Sequence, residues 1–214
     1  MLPIRVFFEK KGCAAYISHL DVQRAVIRAL QRTGCDFAFT EGFNPHMKLV
    51  FAMPLSLFQE STYEIFDVTL LDDNETYPEV LEKLQSVFPA EIMPYAVAAP
   101  VKKLACLRAA TYEIRIKTDR KAADISLPST AMKVLKKAKN GATETDIRPL
   151  IRSFCASDTE NGILLRVTAD CGSQSHLNVA YICEWFGFDQ ADCDILRTGL
   201  LDEEGNLLSN KAKA

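Results

Sequence analysis

Residues 4–34 read IRVFFEKKGCAAYISHLDVQRAVIRALQRTG and decide the fold of the N-terminal half. The segment 4–9 has the β-branched and aromatic composition of a strand. Ser18, followed three residues later by Asp21, is a variant of the capping box that marks a helix start. Apolar residues then recur on one helical face as far as Gly34, which stands at the usual position of a C′ glycine. The stretch therefore predicts a strand followed by an amphipathic helix.

The same signals predict an α+β fold for the rest of the chain. In the N-terminal half, strands are predicted over 36–40, 48–53, 64–71 and 92–97, and a second helix after Thr76. In the C-terminal half, we predict strands over 112–117, 163–169 and 194–201, a short helix over 119–126, a hairpin of 133–139 and 144–151 around Asn140-Gly141, and a helix capped by Asn178. This order is close to β-α-β-β-α-β, so the predicted architecture is two ferredoxin-like (split βαβ) halves with antiparallel sheets.

The length of 214 residues permits one large domain or two of about 100 residues. Pro94, Pro100 and the alanines between them are typical of a connecting segment. We predict a first domain over 1–98, a linker over 99–110, a second domain over 111–201 and a polar tail over 202–214.

The composition is that of an ordinary globular protein, with 48% hydrophobic and 25% charged residues. No apolar run reaches the length of about 20 residues that a membrane span requires, and the N-terminus lacks the features of a signal peptide. We therefore expect a cytoplasmic protein that does not contact membranes. The seven cysteines have no CxxC spacing. This pattern predicts reduced thiols and neither a metal site nor an iron–sulfur cofactor.

A candidate site follows from the predicted topology. In a split βαβ fold, the start of the first helix and the hairpin between the second and third strands lie at the same end of the sheet. Two of the three histidines, His19 and His46, would then converge beside a helix N-terminus. The candidate residues are His19 and His46, which would be catalytic only in an enzyme, and the binding residues Ser18, Asp21, Arg24, Glu41, Asn44 and Lys48. The structural alternative places His19 at the edge of the helix core and His46 in a turn.

A second candidate is a basic hairpin. Residues 99–153 carry 13 basic and 5 acidic side chains, a net charge of +8. Lys133, Lys137, Lys139 and Arg148 form the candidate nucleic-acid patch. The alternative is a solvated edge strand that its lysines protect from aggregation.

Two motifs carry a family resemblance. The segments YISHLDVQRAVIRALQRTG and EGFNPHMKLVFAMPLSL resemble the uncharacterised bacterial radical-SAM-linked proteins, which stand beside or are fused to a radical SAM protein. DIRPLI, LLRVTA and LRTGLL extend the resemblance over nearly the whole chain. Two positions depart from the family pattern, with Met47 in place of proline and Phe58 in place of glycine. The resemblance implies a radical SAM protein as partner, with this chain as the accessory component.

Two functions follow from these observations, and the sequence does not decide whether the chain is an enzyme. The first is an accessory, non-catalytic substrate-binding or adaptor protein that works with a radical SAM enzyme, with RNA as a candidate ligand. The second is a metal-independent hydrolase or ribonuclease that uses His19 and His46. Turnover by the isolated protein would distinguish the second from the first.

Overall fold

The computed structural model describes residues 1–72, 74–138 and 141–208, except for the side chains of residues 137 and 138. The fold is mixed α/β, with three α-helices in the described residues and mostly antiparallel strand pairs. The larger sheet is mixed, which corrects the prediction of purely antiparallel sheets. No helix in these ranges has the length and apolarity needed to cross a bilayer.

The chain divides into two compact units. Unit 1 comprises residues 1–107 with the described residues 206–208, and unit 2 comprises residues 108–205. The helices are α1 (His19–Arg32) and α2 (Tyr77–Val87) in unit 1 and α3 (Ala180–Trp185) in unit 2. The strands of unit 1 are β1 (Leu2–Lys10), β2 (Leu49–Phe51), β3 (Gln59–Leu70) and β4 (Pro94–Ala98). Those of unit 2, which holds all of β5 after its first residue, are β5 (Leu107–Lys117), β6 (Lys133–Ala138), β7 (Gly141–Asp146), β8 (Ile151–Thr159), β9 (Gly162–Asp170) and β10 (Cys193–Asp202).

Unit 1 is built around β1, which pairs antiparallel with β3 on one side and β4 on the other. Strand β2 pairs antiparallel with β3. The apolar faces of both helices are buried in one core that includes Val26, Leu30, Leu84 and Phe66. This burial of the apolar stripes is what stabilises two amphipathic helices of 14 and 11 residues, because isolated helices of such length are marginal in water.

Both predicted helix starts of unit 1 are confirmed. The Ser18 hydroxyl accepts a hydrogen bond from the Asp21 backbone N–H at 3.2 Å, and α1 begins at the next residue. Thr76 and Glu79 form a complete capping box at the start of α2. Each cap satisfies backbone N–H groups that have no partner within the helix.

A buried arginine links the strands of unit 1. The side chain of Arg5 is only 1% exposed and makes a two-pronged ion pair with Asp67, with N–O distances of 2.7 and 2.8 Å. The same guanidinium donates to the carbonyl of Lys102 at 2.8 Å. These bonds compensate the cost of burying its charge.

Unit 2 has the strand order β10-β5-β9-β8, and β6 and β7 form a separate two-stranded sheet. Between β5 and β8, where a split βαβ fold has its first helix, the described residues form two 3₁₀ turns and the β6–β7 hairpin. The predicted helix over 119–126 is therefore wrong, and only Ala122–Asp124 forms a helical turn. Pro128, which restricts the backbone shortly after this turn, disfavours a longer helix. The two predicted ferredoxin-like halves are thus not confirmed.

Three further elements differ from the predictions. The strand predicted over 36–40 is reduced to isolated bridges, Phe37 with Leu70 and Phe39 with Met47. The strand predicted over 144–151 ends at Asp146, and β8 was missed beyond its first residue.

Residues 206–208, predicted as part of a polar tail, pack within unit 1. Leu208 is buried, and its carbonyl accepts a hydrogen bond of 2.9 Å from the Tyr63 hydroxyl. Burial raises the pKa of Tyr63 to about 12.

Candidate functional site

The start of α1 is a closed network of polar side chains. The Ser18 hydroxyl donates to one carboxylate oxygen of Asp21 at 2.6 Å, and the Arg24 guanidinium donates to the other at 2.9 Å. The hydrogen bond from Ser18, followed by that from Arg24, lowers the pKa of Asp21. A carboxylate therefore already lies at the helix N-terminus, where the positive end of the helix dipole favours negative charge. The network brings together three of the predicted site residues and makes this helix end less favourable for a second anion.

His19 lies in the first turn of α1 at the margin of the core. Its half-buried ring packs on Phe51 of β2, with the centroids 5.1 Å apart and the planes nearly perpendicular at 87°. Phe51 in turn contacts the rings of Phe8 and Phe66. This geometry matches the structural alternative for His19, in which the imidazole covers the edge of an apolar core.

The second histidine belongs to a turn that we call the 39–47 loop, after the residues it spans. His46 is exposed, and its Nδ1 lies 3.1 Å from the Thr40 hydroxyl and 3.4 Å from the Asn44 carbonyl. The His46 backbone N–H also donates to the Thr40 hydroxyl at 3.1 Å. A backbone hydrogen bond of 2.8 Å from the Thr40 N–H to the His46 carbonyl also joins the two ends of the loop. His46 therefore ties together the two sides of its own loop.

The tip of the 39–47 loop presents an aromatic side chain. Phe43 is fully exposed, with a relative accessibility of 113%, and Phe39 at the base of the loop is 45% exposed. Glu41, Asn44 and Lys48 are also exposed. Sequence reasoning missed Phe43 as a candidate, although it lies between the turn-forming Gly42 and Asn44 in the motif itself. An apolar residue inside a run of turn formers was the available signal.

The structure thus groups the predicted residues into two clusters. Ser18, Asp21 and Arg24 interact at the start of α1, while Asn44 and His46 interact within the 39–47 loop. A pocket shared by His19 and His46 stays a prediction.

A strained aromatic residue lies close to the start of α1. Phe58 has φ of +64°, in the left-handed region that bulky side chains rarely adopt. Its N–H donates to the Ala15 carbonyl at 2.9 Å, and its ring contacts Tyr16 edge-on, with centroids 5.9 Å apart. Glycine is the residue that adopts this backbone conformation without a steric cost. In this chain, Phe58 adds an aromatic surface at the cost of strain.

The candidate patch in unit 2 lies on β6 and β7, which we call the basic hairpin. Lys133 pairs with Glu144 on the facing strand at 2.8 Å, and this hydrogen bond raises the pKa of Lys133. The Lys136 ammonium lies over the Tyr181 ring, 5.8 Å from its centroid. Arg148 follows the hairpin and donates to the Pro128 carbonyl at 3.0 Å. The side chain of Lys137 and all of Lys139 lie outside the described residues. The charges that are described are largely engaged, as in the protected-edge interpretation.

Residues 1–72, 74–138 and 141–208 contain no group of three or more His, Cys, Asp or Glu side chains that could hold a metal ion.

A comparison with protein families shows to which family the chain belongs. A model of a family described as an uncharacterized protein conserved in bacteria (DUF2344) matches residues 3–179. The chain belongs to this family. The match includes α1, the 39–47 loop and the basic hairpin, and it ends just before α3. No curated protein matches the chain. The family description names no reaction or ligand.

Proposed function

We propose that this DUF2344 protein is an accessory, non-catalytic binding protein that works with a radical SAM enzyme, with RNA as its ligand. The partner is inferred from the resemblance of the SHLD and EGFNPH segments to radical-SAM-linked proteins. One observation carries the binding role. The 39–47 loop is braced by Thr40 and His46, and it holds the ring of Phe43 entirely in solvent. An exposed aromatic ring on a hydrogen-bonded loop can stack on a base of a single strand, and the bracing of the loop reduces the ordering that binding would require.

The arrangement of the histidines favours binding over catalysis. A general base must reach the proton that it abstracts, and a two-histidine hydrolase would need both imidazoles on one phosphate. The imidazole of His46 instead bonds to Thr40 in its own loop, and that of His19 packs on Phe51. Both histidines therefore have structural roles that require no substrate.

The charges of α1 support RNA as the ligand. Arg24, Arg28 and Arg32 are exposed and recur every four residues, which places them about 6 Å apart along the helix axis. This interval is comparable to the spacing of successive phosphates in an extended single strand. Arg24 is paired with Asp21, whereas Arg28 and Arg32 have no ion pair within the described chain. Proteins that bind single strands combine such cations with exposed aromatic rings, a role open to Phe43.

We also propose that unit 1 is a ferredoxin-like module. Its strand order β4-β1-β3, with β2 beside β3 and both helices on one core, is the order expected of a split βαβ arrangement. Modules of this type present loops and sheet faces to ligands, and this supports a binding role by analogy of fold alone.

The proposal is tested by capturing the tagged full chain from its native cells. We expect a radical SAM protein to be retained, together with RNA that is lost on nuclease treatment. In parallel, the isolated protein is incubated with labelled single-stranded RNA. RNA cleavage that is lost in His19→Ala and in His46→Ala would overturn the proposal in favour of the hydrolase.

A further inference from the structure

Two aromatic rings meet at the surface just before the start of α1. Tyr16 is 70% exposed and Phe58 is 51% exposed, and their rings touch edge-on, with the centroids 5.9 Å apart. Tyr16 precedes the helix cap Ser18 by two residues, and the Phe58 N–H ties its own segment to this one through the Ala15 carbonyl. We call Tyr16 and Phe58 the aromatic pair. Each ring keeps an accessible surface on which a planar group can stack.

The backbone conformation of Phe58 sets its ring apart from an ordinary surface side chain. At φ of +64°, a phenylalanine is strained where a glycine would not be. A glycine could donate the same backbone hydrogen bond to Ala15, so the ring is what phenylalanine adds at this position. Strained residues of this kind cluster where a protein contacts its ligands. The strain therefore favours a role for the ring in binding.

A stripe of exposed side chains continues from the aromatic pair along α1. It consists of residues at intervals of four, namely Leu20, Arg24, Arg28 and Arg32. This interval places each side chain about 6 Å further along the helix axis and turns it by about 40°. Arg24 is paired with Asp21, whereas Arg28 and Arg32 have no ion pair among the described residues. The stripe is thus apolar and aromatic where it begins and cationic towards its end.

We propose that the aromatic pair is a stacking site for unpaired bases, so that the ligand of this chain is single-stranded RNA laid along α1. This inference rests on the proposed function, in which RNA is the ligand, and it adds a site separate in sequence from the 39–47 loop. Bases stack on the two rings, and the phosphates that follow contact Arg28 and Arg32. The neutralised first turn of the helix suits bases better than phosphates. Because bases in a duplex stack on one another, the site discriminates against double-stranded RNA.

Binding of a short labelled oligouridine to variants of the full chain tests the stacking site. We expect Tyr16→Ala and Phe58→Gly each to weaken the affinity between about fivefold and about a hundredfold. Phe58→Gly should leave the urea midpoint nearly unchanged, because relief of the backbone strain offsets the loss of the ring contact. Val101→Ala, at another exposed apolar residue of unit 1, is the matched control and should keep wild-type affinity. A duplex of the same strand with oligoadenosine should bind more weakly than the single strand.

The outcomes separate this site from the proposed function. Wild-type affinity in both ring variants would overturn the stacking site, as would a duplex that binds as tightly as the single strand. If Phe43→Ala alone weakens binding, the proposed function stands without the aromatic pair. A wild-type chain that binds no oligouridine would contradict both RNA as the ligand and the stacking site.

Ultraviolet cross-linking gives a second readout that needs no variant. In the wild-type complex, the oligouridine should be attached to the peptide that holds Tyr16 or to the one that holds Phe58. Attachment to other peptides alone would overturn the stacking site, whatever the variants show.

Discussion

The 39–47 loop and the basic hairpin look similarly polar in sequence, yet their side chains are arranged in opposite ways. In the 39–47 loop, Thr40 and His46 bond to each other and the aromatic Phe43 points into solvent. In the basic hairpin, the charges are exposed but already partnered, as with Lys133 and Glu144. A run of charged residues in a sequence therefore does not show that those charges are available to a ligand, because side chains on a neighbouring strand can form ion pairs with them. The braced 39–47 loop instead offers an aromatic ring that can stack on a base of a single strand.

The largest effect is expected from Phe43→Ala. Loss of a stacking ring weakens single-strand binding by about 1–3 kcal/mol, so the affinity for a labelled single-stranded RNA should fall between about fivefold and about a hundredfold. The free energy of unfolding should hardly change, because the ring contacts solvent. Leu135→Ala, on the basic hairpin and 59% exposed, is the matched control and should keep wild-type affinity. Equal losses in both variants would remove the distinction between the two regions.

A smaller effect is expected from loosening the brace of the loop. Thr40→Val removes the hydroxyl that bonds both the ring and the backbone of His46, so the free energy of unfolding should fall by about 1 kcal/mol. RNA affinity should fall a few-fold, because Phe43 is then less well positioned. Thr143→Val on β7, where the side chain is exposed, should change the free energy of unfolding by less than about 0.5 kcal/mol. Urea denaturation measures the free energy of unfolding of both variants. An unchanged value for Thr40→Val would show that the Thr40 hydroxyl does not stabilise the loop.

The success of the sequence analysis also differs between the two units. The starts of α1 and α2 were predicted because Ser18 and Thr76 are local capping signals that need no tertiary context. Strand β8 was missed because its serines, cysteine and aspartate lack the β-branched run of a typical strand, and its pairing with β9 determines its conformation. The departure from glycine at Phe58 was visible in the sequence, whereas its left-handed φ and its backbone hydrogen bond to Ala15 required the structure.

The candidate site was predicted only in part. The capping of α1 by Ser18 followed from its spacing to Asp21, whereas the ion pair of Asp21 with Arg24 was not predicted. The hydrogen bond between the His46 imidazole and the Thr40 hydroxyl could not be predicted, because it depends on the register that brings Thr40 opposite His46. Pairing of Lys133 with Glu144 required the same kind of information, namely the register of β6 against β7.

The salt dependence of RNA binding should distinguish Arg28 and Arg32, which have no ion pair among the described residues, from Lys133, which is paired with Glu144. Each phosphate contact contributes about 0.7 to the slope of log affinity against log salt for single strands. We expect Arg28→Gln and Arg32→Gln to reduce the slope by about that amount each. Lys133→Gln should reduce it by less, since Glu144 already neutralises this lysine. A larger change of the slope in Lys133→Gln than in the α1 variants would show that the basic hairpin makes the phosphate contacts.

The smallest effects concern pH, and they have opposite signs at the start of α1 and in the basic hairpin. The lowered pKa of Asp21 means that its contribution to stability is present above 3.8, the ordinary value, and is lost as the pH falls through the lower pKa of the folded state. The raised pKa of Lys133 means that its contribution is present below 10.5 and is lost as the pH rises through the higher folded value. Both groups are exposed, so both contributions are small.

Urea midpoints measured across the pH range test these signs. The difference between wild type and Asp21→Asn should shrink in acid, and that between wild type and Lys133→Gln should shrink in alkali. Differences that stay constant over the whole range would contradict the assigned hydrogen bonds.

The proposed function of the chain requires the 39–47 loop to be a binding element. The most direct measurement is quantitative capture from native cells with three tagged forms of the chain, the wild type, Phe43→Ala and Leu135→Ala. We predict that the wild type and Leu135→Ala retain equal amounts of the radical SAM protein and of RNA, and that Phe43→Ala retains less of both at the same level of folded protein. Equal retention by Phe43→Ala and the wild type would contradict the claim.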